Sequence, residues 1–146
     1  MPSVREEPRH YGCPVEVTLY VVGGKWKPRI LWELRHGPRH FNALHAALAG
    51  ISHKVLAAQL RGLERSGVLS RTQRFDAKDR VRRVDYALSQ FGRTLRPVLD
   101  SMAGWAKVHH RRVGVVLDWS PRPPERSKRT MLALRPTLNK SHGVRP

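Results

Sequence analysis

Cysteine is nearly absent from this chain, acidic residues are scarce, and no long apolar run occurs. The single cysteine, Cys13, cannot close an internal disulfide, which excludes a disulfide-stapled secreted fold. No apolar stretch approaches the roughly 18 residues that a membrane-spanning helix needs. The opening residues, MPSVREEPRHYG, are polar and lack the apolar centre of a secretory signal. These absences point to a reducing cytoplasm and to no membrane partner. A phosphate-binding loop is missing as well, since Gly23-Gly24 ahead of Lys25 lacks the Walker spacing. The charge is one-sided: 28 Lys and Arg stand against 11 Asp and Glu in 146 residues, a net of +17. Such an excess costs self-repulsion that phosphates relieve, so a polyanionic partner is expected. An apolar fraction of 40% still permits one modest core.

The charge is spread unevenly. Residues 1–110 carry a net of +10, and the last 36 residues carry +7 with five prolines. The run SPRPPERSKRT has no apolar period. Residues 113–146 therefore read as a basic, proline-rich disordered tail, and residues 1–12 as a flexible arm. Between them, residues 13–112 hold the patterned part of the chain, without an internal repeat.

Pro14 suits the first position of a helix, which runs to Val22 and stops at Gly23-Gly24. Trp26, Ile30 and Leu34 recur at four-residue steps on a second helix that tolerates Pro28 in its first turn and ends at Gly37-Pro38. A short third helix carries Phe41, Leu44 and Leu48 and stops at Gly50. Ser52 is a good N-cap for a fourth helix with Leu56, Leu60 and Leu63 inward and Gly67 at its end. Leu69–Phe75 and the alternating Val84, Tyr86 and Leu88 read as two strands joined by the polar turn DAKDR. A long helix opened by Ser89 closes the domain. On it Phe91, Leu95, Val98, Met102 and Trp105 form a coiled-coil-like seam. The fold class expected is mainly α (α+β), a winged helix-turn-helix with a two-stranded wing, in which the third and fourth helices form the helix-turn-helix. The apolar faces of the first and last helices are spare, and a homodimer would bury them.

On a wheel at 100° per residue, Leu56, Leu60 and Leu63 lie within about 60° of one another. Lys54, Ala58, Arg61 and Arg65 fall opposite, with His53 and Ala57 on a flank. A helix entering a major groove needs this mixture of cations for guanine edges or phosphates and small residues where the backbone nears the bases. Candidate double-stranded DNA contacts are thus Ser52, His53, Lys54, Ala57, Arg61 and Arg65. Lys78 and Arg80 at the tip of the hairpin are expected to reach the DNA backbone, where contacts set register without reading sequence. Arg39, ahead of the third helix, is a candidate phosphate contact. A plain solvated cationic face would carry the same residues.

At this point the motifs CPVE, GGKW, FNAL, GIS-x-KVL, LRGLE, SGVL, DYALS and FG-x-x-L stand in one order across residues 11–110. In that order they resemble the HxlR family of bacterial transcriptional regulators. The resemblance implies a dimeric winged helix-turn-helix related to MarR-type regulators, with the first and last helices forming the dimer interface. It also implies operator binding through the fourth helix and the wing. The hairpin between Arg71 and Asp85 departs from the family by being a few residues longer and by lacking a Pro-Pro pair, and the basic tail lies outside the pattern.

Cys13 sits just ahead of Pro14, where unpaired N–H groups and the positive end of a helix favour thiolate chemistry. Some members of the family sense oxidants or electrophiles with a cysteine near this place, so the resemblance implies the same role for Cys13; a packed, inert thiol is the alternative. Cys13 beside His10 lacks an orienting acid and oxyanion donors, so no enzyme is expected. His36, His40, His45, His109 and His110 lack thiol or carboxylate partners at ligand spacing, so neither metal nor cofactor is expected. A basic RNA-binding or ribosome-associated protein is the rival class. It would expose aromatics for stacking, whereas Phe41, Phe75, Tyr86, Phe91 and Trp105 are assigned here to core or seam. The resulting expectation is a cytoplasmic, homodimeric repressor on a pseudo-palindromic operator, with any small-molecule or oxidant effector unidentified.

Overall fold

A computed structural model of the chain describes residues 9–77 and 80–118. The expected arm and tail therefore fall largely outside the described residues, as does Lys78. The elements follow in the order α1 (Pro14–Val22), α2 (Lys27–Leu34), β1 (Arg39–His40), α3 (Phe41–Ala47), α4 (His53–Arg65), β2 (Leu69–Asp76), β3 (Val81–Leu88), α5 (Gln90–Arg93) and α6 (Arg96–His109).

Both boundaries of α4 are set by local chemistry. At its start the Ser52 hydroxyl accepts a hydrogen bond from the Val55 N–H at 3.2 Å, satisfying a donor that the first turn leaves open. At its end the Val68 N–H donates to the Leu63 carbonyl and the Gly67 N–H to the Glu64 carbonyl. Gly67 takes φ +74°, the left-handed backbone that this closing motif requires. Val68 and Leu63, which the motif brings together, are both fully buried. The chain thus leaves α4 already aimed into β2.

The sheet is antiparallel with order β1-β3-β2, one strand more than the two-stranded wing expected. The extra strand is two residues long, pairing Arg39 with Tyr86 and His40 with Asp85. A two-residue strand is too short to show alternation in sequence, which is why it escaped notice. The wing itself pairs β2 with β3 from Leu69↔Leu88 out to Asp76↔Val81. The long closing helix is also interrupted. Ser89 caps α5 as expected, accepting from the Gly92 N–H at 2.8 Å and donating to the Gly67 carbonyl at 2.6 Å. The ladder then tightens, with Thr94 and Leu95 donating three residues back, and α6 begins with Pro97 in its first turn. Pro97 has no N–H to give the Arg93 carbonyl, so the ladder loses a bond there and the helix must kink or break.

The core gathers Ile30, Leu31 and Leu34 of α2, Leu44 and Leu48 around α3, and Leu56, Leu60 and Leu63 of α4, all essentially without solvent contact. Leu69, Tyr86 and Leu88 close it from the sheet, Val68 from the turn ahead of β2, and Leu99 from α6. No charged or polar residue is buried among the described residues.

Phe75 departs from its expected core place: it is 66% exposed, because β2 runs past the helical body there and has only β3 beside it. Phe91, Val98, Met102 and Trp105 of the expected seam are exposed too, while Leu95 is partly buried against the core.

Gly92 and Gly62 offer an opposed pair of tests. A Cβ on Gly92 would run into the carbonyl oxygen of Val68, whereas one on Gly62, inside α4, would meet nothing within 4 Å. Gly92→Ala should destabilise the fold by about 1–3 kcal/mol through overpacking. Gly62→Ala should stabilise it by about 0.4–1 kcal/mol by restricting the unfolded chain. Urea denaturation of the two variants measures both signs.

Candidate nucleic-acid interface

Helical geometry turns the buried leucines of α4 into an outward cationic face. Because Leu56, Leu60 and Leu63 point into the core, Lys54, Ala58, Arg61 and Arg65 are all exposed on the far side, and Ala57 is half-buried on the flank. Gly50, at φ +87° in the turn after α3, and Ile51, buried with its N–H on the Leu48 carbonyl, hold α4 at a fixed angle to α3. Ser52 is exposed, but its hydroxyl already accepts within the helix cap. His53 is exposed at the first position of α4, and its ring stacks on that of His45 from α3.

The wing supplies a second group of cations. Arg71, Arg74, Arg80, Arg82 and Arg83 are all exposed. Arg74 lies directly opposite Arg83, a like-charge pairing that disfavours the strand pair on its own. Asp85, one step along on the same face, offsets it with an ion pair to Arg74 at 3.5 Å. Arg80 is the one non-glycine residue in the left-handed region among the described residues, at φ +51°. A side chain there costs on the order of 1–2 kcal/mol, so the turn holds Arg80 out at the wing tip at some expense.

The expected site residues are therefore not equally available. Lys54, Arg61 and Arg65 share one open face, and Arg80 stands apart at the wing tip. Arg39 is occupied: its Nε donates to the Glu33 carbonyl at 3.1 Å and its guanidinium pairs with the Glu33 carboxylate at 3.6 Å. A phosphate would have to displace that pairing. His45 was not among the expected contacts, although Phe41 and His45 stand four residues apart on α3, the spacing that puts two rings on one face. Arg35 lies over the Trp32 ring at 3.4 Å from its centroid; partial burial draws its pKa below the ordinary guanidinium value, with Asp100 and Glu33 opposing. Cys13 is exposed and free at the N-cap of α1, its carbonyl accepting from Glu16 at 3.0 Å.

Three helices and a short strand, a reading helix with a cationic outer face, and an arginine-rich hairpin define a winged helix-turn-helix protein of the kind that binds DNA. Known proteins agree. The HxlR-like helix-turn-helix family model matches residues 21–113. The chain is 41% identical over 102 residues to YdeP of Bacillus subtilis (strain 168), an uncharacterized HTH-type transcriptional regulator, covering 70% of this chain and 77% of that protein. The crystal structure of ytcD, a putative HTH-type transcriptional regulator, superposes with a TM-score of 0.60 at 38% identity over 68% of this chain and 98% of that one. The redox regulator HypR in its reduced form superposes with a TM-score of 0.65 at 33% identity, over 70% of this chain and 98% of that one. This chain belongs to the HxlR-like helix-turn-helix family. It is a DNA-binding transcriptional regulator and not an enzyme. No described helix is long and apolar enough to cross a membrane.

Ser52→Ala should cost about 0.5–2 kcal/mol of stability, because the Val55 N–H loses its acceptor. Thermal unfolding followed by circular dichroism at 222 nm measures this loss before any DNA-binding effect of the same variant is interpreted.

Proposed function

We propose that the protein is a cytoplasmic repressor that binds a pseudo-palindromic operator as a homodimer. The observation that carries the reading is the apolar surface which the single chain leaves uncovered. On α1, Val15, Val17, Leu19 and Tyr20 are all exposed and only Val22 is buried. A helix apolar on nearly every side belongs inside a structure. On α6, Val98, Met102, Trp105 and Val108 form an exposed stripe at helical spacing. A second copy covering α1 and α6 would bury both and leave the two α4 helices free to enter successive major grooves, roughly 34–36 Å apart. Lys54, Arg61 and Arg65 would then face the groove beside His53 and Ala57, with Ser52 at the phosphate edge. Lys78 and Arg80 would touch the backbone. The domain would span residues 13–112, between an N-terminal arm and a basic tail.

Two expected outcomes check this. Light scattering should give a dimer, and Leu19→Glu with Trp105→Glu should shift it to monomer. Selection of duplexes from a random pool, at about 150 mM salt to suppress non-specific binding by so cationic a chain, should enrich one symmetric sequence. Against that sequence Arg61→Ala should lose on the order of 1–3 kcal/mol if the arginine grips a base edge. Equal weakening on scrambled DNA would reduce Arg61 to a phosphate contact.

Two further readings have an observation each. Exposed Phe75, paired across the strands with Arg82, favours non-specific stacking on unpaired bases, and failure to enrich any duplex would support it. Exposed Cys13 at the foot of α1, in a chain similar to a redox regulator, favours thiol-responsive release of DNA. Diamide should then abolish binding by the native protein and spare Cys13→Ser.

A further inference from the structure

His45 and His53 lie face to face, with ring centroids 3.8 Å apart and planes 15° apart. Phe41 extends the stack on His53, at 5.8 Å and 21°. The first side chain of the reading helix is thus held by two rings one turn apart on α3, and so loses the rotamer freedom an exposed histidine would keep. His53 stays exposed while His45 is half-buried, so the outer imidazole presents an edge beside the cationic face of α4.

The charged neighbours decide what that edge can bind. α3 carries no other titratable side chain, and α4 adds Lys54, Arg61, Glu64 and Arg65. α2 brings Lys27, Arg29, Glu33 and Arg35; β1 brings Arg39 and His40; β3 brings Arg82, Arg83 and Asp85. The carboxylates among them are engaged or remote. Glu33 is held by Arg39, Asp85 by Arg74, and Glu64 lies about three turns along α4 from His53. None stands ready to pair with an imidazolium at the stack, whereas a DNA phosphate would.

Resting on the DNA-binding reading above, we propose that His45 is a positioning residue that fixes His53 against a DNA phosphate, and that the stacked pair takes up one proton as the helix docks. The proton comes from solvent onto a ring nitrogen of His53, and the resulting N–H donates to a phosphate oxygen. One proton and not two is taken up, because a second charge in the facing ring would be repelled at that separation, and the face of the His45 ring receives the cation. By linkage, a proton taken up on docking makes binding strengthen as pH falls, by at most about tenfold per pH unit for each subunit.

The test is fluorescence anisotropy with the duplex enriched by the native protein, between about pH 5.5 and 8.5 at constant ionic strength. The native protein should bind about fivefold or more tightly at pH 6 than at pH 7.5, and His53→Gln should flatten the profile. His45→Ala should weaken binding and shrink the pH dependence, and His45→Phe, which keeps a stacking ring, should restore both. A merely structural role for His45 would lower thermal stability and leave the pH profile unchanged, which overturns the proposal. So does a His53→Gln profile that superimposes on the native one. Failure to enrich any duplex is a separate result, which removes the operator-binding reading and this proposal with it.

Discussion

The burial of three leucines on one face of α4 is the constraint on which the interface depends. Leu56, Leu60 and Leu63 are each removed from water, and each contributes on the order of 1.5–3 kcal/mol by that burial. Their energy fixes the rotation of the helix about its own axis. With a rotation set from inside, Lys54, Arg61 and Arg65 have no choice of direction. An ion pair on the surface could not do this, since exposed pairs contribute little and leave a helix free to roll.

The same economy extends from α4 into the wing. Gly67 accepts the left-handed turn, Val68 buries itself against Leu63, and Ser89 returns from the far strand to donate to the Gly67 carbonyl. The end of the reading helix, the base of the hairpin and the start of α5 are therefore tied at one point. Gly92 sits against the Val68 carbonyl at this junction, where any side chain would push the elements apart. Beyond it the two arms of the wing are joined by strand pairing and by the Arg74–Asp85 ion pair, and Val84 packs against the core.

What the fold leaves uncovered is as informative as what it buries. α1 and α6 expose apolar side chains that no other described element covers. The cationic face of α4 and the wing repel themselves in the absence of an anion. The proposed second copy would remove the first cost, and a polyanion would remove the second.

Periodicity alone determined a good deal here. The four main helices, the two strands of the hairpin, the caps at Ser52 and Ser89 and the leucine stripe of α4 were all legible, because each depends on residues near in sequence and on repeats of 3.6 or 2. The order of motifs was legible only as a resemblance to a known family, which periodicity does not supply. Tertiary structure decided the rest. It placed β1 beside Tyr86, a pairing between residues more than forty positions apart that two residues of sequence cannot announce. It interrupted the closing helix at Pro97, where the choice between a kink and a break depends on what packs around it. It turned Arg39 onto Glu33, left Phe75 in solvent and brought His45 beneath His53. Those outcomes depend on distances between elements, and a linear pattern carries no information about distance until the core has closed.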